Sequence, residues 1–442
     1  MIERDGRVYR MAHTAHLFDH QIEGACTLAQ HDRYILGDEV GTGKTRTAIT
    51  ALQLRCSTRP LVICPAIVRE HWRREFGVCG FEGYPVVRSY DEIVRGGEAG
   101  IGALVNLGTD ALLLDESHYC KNADAKRTRL ILNPSKGIAH RVPTFYAISG
   151  TPMHRNPLDL WPLFMSTFPT VLMQHGIYDR QTFISKLCVM HGSMFRGNWV
   201  ERCIAVKNPE RLNEILNSVM LRRTVADLGL DVPPVWWQTM RLDCSDAGAV
   251  NDTGIRELVA FMDMTDCGLE ELIQSPHMAT TQRLIGELKA PLVAARLAEE
   301  LEEDPTMKVV ILAHHRSVLH LLRDVLGHFG VSYIDGGAGP LTRGKAIEDF
   351  QRDPDVRVFI GQQQACMTGI TLTAAHRVVL VEPSWVAVEN IQAAARVARI
   401  GQESKHCIAQ IVTLAGTLDE AVVRQHHKEI AAVNAALAPV HS

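Results

Sequence analysis

Short apolar runs recur in the first part of the chain, and each one ends at polar, proline or glycine-rich residues. Four of these runs are Tyr34–Leu36, Leu61–Cys64, Ala111–Leu114 and Tyr146–Ile148. Runs of this length predict strands that are buried on both faces, as in a parallel sheet. Segments with helical periodicity lie between them, so the pattern indicates an α/β fold.

A second series of apolar runs begins beyond Pro291, again with helical segments in between. The runs are Lys308–Ala313, Val331–Asp335, Val356–Ile360 and Val378–Val381. Strands and helices that alternate at this spacing predict a second parallel sheet with right-handed crossover connections.

Between the two series the pattern is mainly helical. Residues 158–230 and 245–290 are predicted to be helical, and the pair Pro233-Pro234 marks a point where regular structure must stop. The fold class predicted is therefore α/β, with two parallel-sheet lobes and helical insertions between them. The predicted division is a first lobe at residues 1–165, helical protrusions and a linker at 166–290, and a second lobe at 291–442.

Composition is ordinary for a globular protein, with 46% hydrophobic and 22% charged residues. The formal net charge of −4 excludes a globally basic surface, so any nucleic acid must bind in a local basic cleft. The eleven cysteines form no C-x₂-C pair and are interpreted as reduced packing residues. Since there is no signal-peptide pattern and no apolar run of roughly 20 residues, we expect a cytoplasmic location.

The clearest chemical signal is GDEVGTGKT at residues 37–45, between a predicted strand and a helix-like segment. This is the context that a phosphate-binding loop requires, because backbone N–H groups of such a loop turn towards phosphate oxygens at a helix N-terminus. Lys44 would reach the β- and γ-phosphates, and the Thr45 hydroxyl would bind Mg²⁺. A plain glycine-rich turn is the alternative, but the context favours a nucleotide site. The other residues expected to contact the nucleotide here are Gly41, Thr42 and Gly43.

Two further residues near this loop are candidates for nucleotide contacts. The generic loop has glycine six residues before its lysine, whereas this chain has Asp38 there. Gln21 lies about one helix upstream, and its paired amide donor and acceptor suit the edge of adenine. A solvated glutamine on an amphipathic helix is the alternative interpretation.

The predicted strand Ala111–Leu114 ends in an acidic pair. In a parallel sheet the ligand crevice lies outside the carboxyl ends of the strands, which places the pair beside the phosphate loop. Asp115 would hold Mg²⁺, and Glu116 would orient and deprotonate an attacking water. Burying two unpaired carboxylates would be costly, so a purely structural role is hard to defend.

The next predicted strand ends in the segment SGTP at residues 149–152. The hydroxyls of Ser149 and Thr151 would hydrogen-bond the preceding acidic segment, which includes His118, and report the state of the nucleotide. A plain Gly-Pro turn is the alternative.

In the second half, Gln392, Arg396 and Arg399 are spaced by four and three residues. On a helix they would share one face. Two arginines aimed together suit the charge that develops on a transferred phosphoryl group. A solvent-exposed basic helix is the alternative, and the phosphate loop in the first half argues against it.

Candidates for nucleic-acid contacts lie in two places. Basic residues interleaved with an aromatic one follow the strand at Leu61–Cys64 and would face a phosphate backbone, although a packed tryptophan and solvated arginines are equally consistent. A loop that follows the strand near Val356–Ile360 is the second place. The residues are Arg69, Trp72 and Arg73 in the first, and Thr368, Gly369 and Thr371 in the second.

Taken together, these segments resemble the Swi/Snf-related family of superfamily 2 helicase-like ATPases. The similar segments, in order, are DEVGTGKT at 38–45, DESHYCKN at 115–122, SGTP at 149–152, LRRT at 221–224 and RIGQ at 399–402. The aspartate of the loop belongs to that family's pattern. The sequences DESH, AHH at 313–315 and GITLTAA at 369–375 resemble the branch that includes annealing helicases.

The resemblance implies two RecA-like lobes that bind ATP and Mg²⁺, with a nucleic-acid duplex across their outer cleft. It implies a DNA-dependent ATPase that moves along or remodels double-stranded DNA through sequence-independent backbone contacts, in a minimal bacterial or viral-type motor. A strand-separating DNA or RNA helicase and a non-catalytic clamp switched by ATP are the alternatives. Ala395 and Ala398 depart from the family, which usually has an acidic residue and a histidine there, and so predict weaker coupling between the lobes.

Overall fold

The structure is a computed structural model in which the chain separates into two compact units. The first unit extends to Gly229 and the second begins at Leu230. The residues that the structure describes are 2–4, 7–9, 17–153, 156–195, 198–243, 278–366, 370–415, 417–420, 422–424 and 426.

The first unit is built on a six-stranded parallel sheet. The described strands of this unit, six of which form the sheet, are β1 (Ile2–Arg4), β2 (Arg7–Tyr9), β3 (Arg33–Leu36), β4 (Pro60–Cys64), β5 (Val86–Ser89), β6 (Ala111–Asp115), β7 (Thr144–Ile148), β8 (Cys188–Phe195), β9 (Asn198–Val206) and β10 (Met220–Leu221). The order across the sheet is β10-β3-β7-β6-β4-β5, and all of its pairings are parallel. The strands β1 and β2 form one antiparallel pair, and β8 and β9 form another.

Helices cover both faces of this sheet. They are α1 (Asp19–Ala29), α2 (Lys44–Leu54), α3 (Arg69–Val78), α4 (Tyr90–Asn106), α5 (Lys126–Leu132), α6 (Trp161–Thr167), α7 (Pro169–Gln174), α8 (Arg180–Leu187) and α9 (Pro209–Val219). Successive residues of a central strand point to opposite faces, so Val62 and Ile63 of β4 pack into two different hydrophobic cores.

The second unit repeats this plan with another six-stranded parallel sheet, in the order β11-β16-β15-β12-β14-β13. The strands are β11 (Val235–Leu242), β12 (Val309–Ala313), β13 (Val331–Ile334), β14 (Val358–Gln362), β15 (Arg377–Leu380) and β16 (Cys407–Leu414). The helices are α10 (Met278–Glu303), α11 (Arg316–Leu326), α12 (Pro340–Arg352), α13 (Gln363–Cys366) and α14 (Ala387–Ala394). Val310 and Ile311 of β12 again contribute to two different cores.

The predicted α/β class with two parallel sheets is confirmed, and each apolar run predicted as a strand overlaps one. The segment after β7 is not wholly helical, however. The antiparallel pair β8–β9 lies within residues 158–230, which were predicted as helical. Half-exposed strands carry polar residues at alternate positions, so they lack the continuous apolar run on which the prediction depended.

Strand β11 is also absent from the prediction. It follows Pro233-Pro234, pairs in parallel with β16 over its whole length, and is exposed along most of it. Its partner lies far away in the sequence, and its residues Val, Trp, Trp and Thr favour strands only once such a partner is present. Tertiary context therefore decides this element.

Helix α10 runs through Pro291, where the second lobe was expected to begin. A proline inside a helix costs about 3 kcal/mol. The buried face of this helix, which includes Leu288, Val293, Leu297 and Leu301, packs into the core of the second unit and offsets that cost.

Candidate functional site

The predicted phosphate loop connects the end of β3 to the start of α2. Gly41 has a φ of 95° and Gly43, which caps α2, has a φ of 83°. Both values lie in the left-handed region, which glycine adopts without the steric cost that a side chain brings. The sequence thus supplies glycine where the turn into the helix requires it.

Lys44 lies over this loop. Its Nζ donates to the carbonyl oxygens of Asp38 and Glu39, at 2.9 Å each. Burial lowers the pKa of the ammonium group, and the carboxylates of Glu116, Asp38 and Asp115 act in the opposite direction. The lysine and the acidic pair predicted to assist it are therefore close enough to interact electrostatically.

Asp115 is the last residue of β6, and Glu116 follows it directly. Oδ2 of Asp115 accepts a hydrogen bond from the indole N–H of Trp72 at 2.7 Å, while Oδ1 accepts from the backbone N–H of Glu116 at 3.1 Å. Burial and the nearby charge of Glu116 raise the pKa of the Asp115 carboxyl. Tyr90 holds the backbone in place because its hydroxyl donates to the carbonyl oxygen of Asp115 at 2.7 Å.

The backbone at Glu116 has a φ of 51°, in the left-handed region that is uncommon for residues other than glycine. Nδ1 of His118 lies 3.4 Å from Oε2 of Glu116 and 3.4 Å from Oγ of Ser149. The Ser149 hydroxyl also accepts from the backbone N–H of Thr151 at 3.2 Å. The structure thus brings together the three residues predicted to link the acidic segment to the end of β7.

Gln21 lies against the phosphate loop, as its position upstream suggested. Its Oε1 accepts from the backbone N–H of Phe18 at 3.1 Å, and its Nε2 donates to the carbonyl oxygen of Thr42 at 3.4 Å. A Cβ at Gly43 would lie 2.1 Å from Nε2, so a larger residue at that position would collide with this amide. Recognition of adenine by Gln21 stays a prediction.

Asp38 is held by a residue that the sequence did not assign to the site. Its carboxylate is 1% exposed and forms a two-pronged contact with Arg223, with Nη2 to Oδ2 at 2.6 Å and Nε to Oδ1 at 3.2 Å. The neighbouring Arg222 donates to the carbonyl oxygen of Gly37 at 2.7 Å. Both arginines belong to the LRRT segment, which matched the family pattern but carried no predicted role.

The expected nucleic-acid contact of Trp72 is wrong, because its side chain is fully buried and its indole N–H is bonded to Asp115. Arg69 forms an ion pair with Glu92 at 2.7 Å. Arg73 is exposed on α3 and pairs with Glu70 of the same helix, at 3.1 Å. Of the three predicted contacts, Arg73 is the one best placed to meet a phosphate backbone.

In the second unit the helix that carries Gln392 ends at Ala394, so the predicted helical face does not continue to the arginines. Arg396 is buried, and its Nε donates to the carbonyl oxygen of Gln392 at 2.9 Å. Nη1 of Arg399 donates to the hydroxyl of Thr371 at 2.9 Å, and burial lowers the pKa of Arg399 to about 10. Thr368 and Gly369 lie outside the described residues.

Two protein families match successive parts of the chain. The SNF2-related domain matches residues 86–249, and the helicase conserved C-terminal domain matches residues 293–401. Part of the first unit and the start of the second are thus similar to an SNF2-related domain, and much of the second unit is similar to a helicase C-terminal domain. The matched ranges include the acidic pair of the first unit and both arginines of the second.

Among the curated relatives that the chain matches is "DNA annealing helicase and endonuclease ZRANB3" of Bos taurus, 27% identical over 441 residues, covering 92% of this chain and 39% of that protein. Another is "SWI/SNF-related matrix-associated actin-dependent regulator of chromatin subfamily A-like protein 1" of Drosophila melanogaster, 27% identical over 436 residues, covering 92% of this chain and 54% of that protein. The chain therefore spans about half or less of the length of these relatives.

Among solved structures, the "Sulfolobus solfataricus SWI2/SNF2 ATPase core in complex with dsDNA" is 19% identical to this chain, with a TM-score of 0.40 and coverage of 93% of this chain and 90% of that one. Within the described part of the chain, no helix combines the length and the apolar character needed to cross a membrane.

The residues present fit a nucleotide and a magnesium ion. The phosphate loop supplies the ammonium group of Lys44 and two glycines with left-handed backbone conformation, Gly41 and Gly43. Oxygen donors, which Mg²⁺ prefers, are available from the Thr45 hydroxyl and the Asp115 carboxylate. The donor set is therefore compatible with a nucleotide and Mg²⁺.

Proposed function

We propose that this protein is a DNA-dependent ATPase that couples ATP hydrolysis to translocation along double-stranded DNA or to its remodelling. The observation that carries the proposal is the placement of Lys44 over the phosphate loop, within electrostatic range of Asp115 and Glu116. Similarity to an SNF2-related domain supports the same conclusion independently.

The loop and its lysine bind the substrate in this proposal. Backbone N–H groups of the loop and the ammonium of Lys44 contact the β- and γ-phosphates and stabilise their negative charge. Thr45 and Asp115 would hold Mg²⁺, which would supply positive charge that offsets the negative charge of the phosphates. Burial makes each of these charge interactions stronger than it would be in water.

Glu116 acts as the general base. Its carboxylate accepts a proton from the water that attacks the γ-phosphate. His118 connects this carboxylate to Ser149 at the end of β7, with distances of 3.4 Å on each side. A change at Glu116 can thus reach the neighbouring strand through Nδ1 of His118, which lies close to both the carboxylate and the Ser149 hydroxyl.

Double-stranded DNA is the proposed partner. The names of the relatives, which include a DNA annealing helicase, support DNA over RNA. A motor that moves along DNA gains nothing from reading bases, so phosphate contacts by exposed arginines such as Arg73 suit it. Such contacts release counterions from the DNA, so the affinity of the protein for DNA should fall steeply as the salt concentration rises.

The test of this proposal is ATP hydrolysis measured alone and then with duplex DNA, single-stranded DNA or RNA. We expect the greatest stimulation by duplex DNA, with little dependence on its sequence. Stimulation only by single-stranded DNA would favour a strand-separating helicase. Nucleotide binding without turnover under all four conditions would instead support a clamp that ATP merely switches.

Charge reversal at Arg73 is expected to raise the DNA concentration needed for half-maximal stimulation. The substitution Arg73→Glu removes one phosphate contact, and the slope of log affinity against log salt should fall in magnitude by about one. The matched control is Arg352→Glu on α12, because Arg352 is also an exposed helical arginine paired with an acid of its own helix, Glu348. An equal effect of both substitutions would contradict a specific role for Arg73.

A further inference from the structure

The chain returns to the phosphate loop after the segment that contains β8 and β9. Strand β10 pairs with β3, and the residues just beyond it bond to the start of the loop. The N–H of Gly37 donates to the carbonyl oxygen of Leu221 at 2.8 Å, and the N–H of Glu39 donates to that of Arg223 at 3.0 Å. The loop is therefore tied to this returning segment along its backbone.

Side chains reinforce the tie. The Asp38 carboxylate accepts from the backbone N–H of Arg223 at 3.0 Å as well as from its guanidinium. A buried ion pair stabilises a structure only when its geometry is good. Removing one partner destabilises the fold, because the other charge is left buried without compensation. Here three donors of one residue converge on one carboxylate that is almost inaccessible to water.

The same guanidinium reaches helix α1. Nη1 of Arg223 donates to the carbonyl oxygen of His20 at 2.9 Å. A Cβ at Gly24 would lie 2.7 Å from Nη2, so the glycine leaves room for the arginine. His20 in turn contacts the far end of the loop, because its Nε2 lies 2.8 Å from the carbonyl oxygen of Thr42. One series of contacts thus links Asp38, near the start of the loop, to Thr42, near its end.

Arg222 extends the tie to the end of β7. Its Nη1 donates to the carbonyl oxygen of Gly37 at 2.7 Å and to that of Gly150 at 3.3 Å. The Gly150 position lies beside Lys44, since a Cβ there would be 3.2 Å from the lysine Nζ. The guanidinium of Arg222 therefore fixes the spacing between the phosphate loop and the segment just after β7.

We propose that Arg222 and Arg223 are positioning residues of the nucleotide site, which hold the phosphate loop in the shape that binds phosphates. This rests on the proposed function, because it assumes that the loop binds a nucleotide. A loop with two left-handed glycines has no strong preference for one conformation, so contacts with other segments must stabilise the conformation that binds phosphates. The two arginines supply those contacts from the end of the inserted segment.

The decisive experiment separates positioning from electrostatics. The single substitution Arg223→Met leaves the Asp38 carboxylate buried and unpaired close to the phosphates. It would weaken nucleotide binding whether the cause is a change in loop conformation or repulsion between the carboxylate and the phosphates. The double substitution Asp38→Asn with Arg223→Met removes a cation and an anion together and keeps the net charge of the pair. We expect the double variant to bind magnesium–ADP roughly tenfold more weakly than the unmodified protein, as coupled contacts of this kind allow.

Affinity is measured by titrating a fluorescent ADP analogue in the presence of Mg²⁺, alongside the melting temperature of each variant. The control is Asp110→Asn. Asp110 precedes β6 at the opposite edge of the same sheet, and its carboxylate accepts from Ser57, Thr58 and Arg59. We expect this control to lower the melting temperature without changing ADP affinity. The conservative Arg223→Lys should recover only part of the affinity, because a lysine cannot form the two-pronged contact.

Several outcomes would overturn the proposal. If the double variant binds ADP as tightly as the unmodified protein, the arginine acts only through its charge. If Asp110→Asn weakens ADP binding as much as the double variant, the effect is general destabilisation. If the unmodified protein binds ADP and hydrolyses ATP, either of these two results contradicts the positioning role of the arginines but leaves the proposed ATPase function standing. If it binds no nucleotide, the proposed function fails as well.

Discussion

Replacing Glu116 with glutamine is expected to stop ATP turnover while nucleotide binding is retained. Glutamine keeps the size and the hydrogen-bonding capacity of the side chain but cannot accept the proton of the attacking water. Loss of a general base typically costs roughly 10²–10⁴-fold in rate. The measurement is single-turnover hydrolysis together with fluorescent ADP binding, and we expect ATP to remain bound and intact.

Two comparisons make this result interpretable. Lys44→Ala should abolish turnover and also weaken binding, because it removes the ammonium group that contacts the phosphates. Glu75→Gln should leave turnover close to that of the unmodified protein, since Glu75 is a buried carboxylate of the same unit that pairs with Arg46 at 2.8 Å. Turnover by Glu116→Gln at the unmodified rate would show that another group accepts the proton.

The residues of this site could be predicted because their chemistry is local in sequence. The phosphate loop needs a strand, glycines, a lysine and a helix in one short stretch, and a carboxylate pair at the end of an apolar strand has few structural explanations. The topology then brings the loop and the carboxylate pair together, because the carboxyl ends of neighbouring parallel strands meet at one edge of the sheet. The contact between His118 and Ser149 follows from the same rule.

Contacts between residues far apart in sequence could not be predicted in this way. Asp38 and Arg223 are separated by 185 positions, and only the folded chain places one against the other. Trp72 was ambiguous for a similar reason, because a tryptophan among arginines suits both a core and a nucleic-acid surface. Its burial against Asp115 depends on how α3 packs on the sheet, which local pattern does not reveal.

Strands β8, β9 and β11 show the corresponding limit for the fold. Each is only partly buried, and its conformation is stabilised by a partner strand more than by its own residues. The end of α14 at Ala394 is a smaller example of the same kind. The spacing of Gln392, Arg396 and Arg399 suits a helix, but the backbone turns after Ala394, where the N–H of Leu372 donates to the carbonyl oxygen of Arg396 at 2.9 Å.

The arginines of this turn carry the second large expected effect. Arg399→Ala should lower turnover by roughly 10²–10⁵-fold with only a modest effect on nucleotide affinity, because an arginine of this kind acts on charge that develops in the transition state. Burial lowers its pKa to about 10, so the side chain stays protonated at neutral pH and no loss of activity from this group is expected until pH rises towards that value. Arg399→Lys should restore little, since a point charge does not reproduce a forked donor.

Arg396→Ala should lower turnover as well, but for a mixed reason. Arg396 is 4% exposed and its guanidinium donates to the carbonyl oxygens of Gln392 and Ile370, so its loss also removes contacts inside the second unit. The control is Arg343→Ala, because Arg343 likewise donates to backbone carbonyl oxygens, those of Ala338 and Ala365. We expect both substitutions to lower the melting temperature and Arg396→Ala alone to reduce kcat strongly at a temperature where all variants are folded. If Arg399→Ala retained full turnover there, charge stabilisation by Arg399 would be excluded as a source of catalysis.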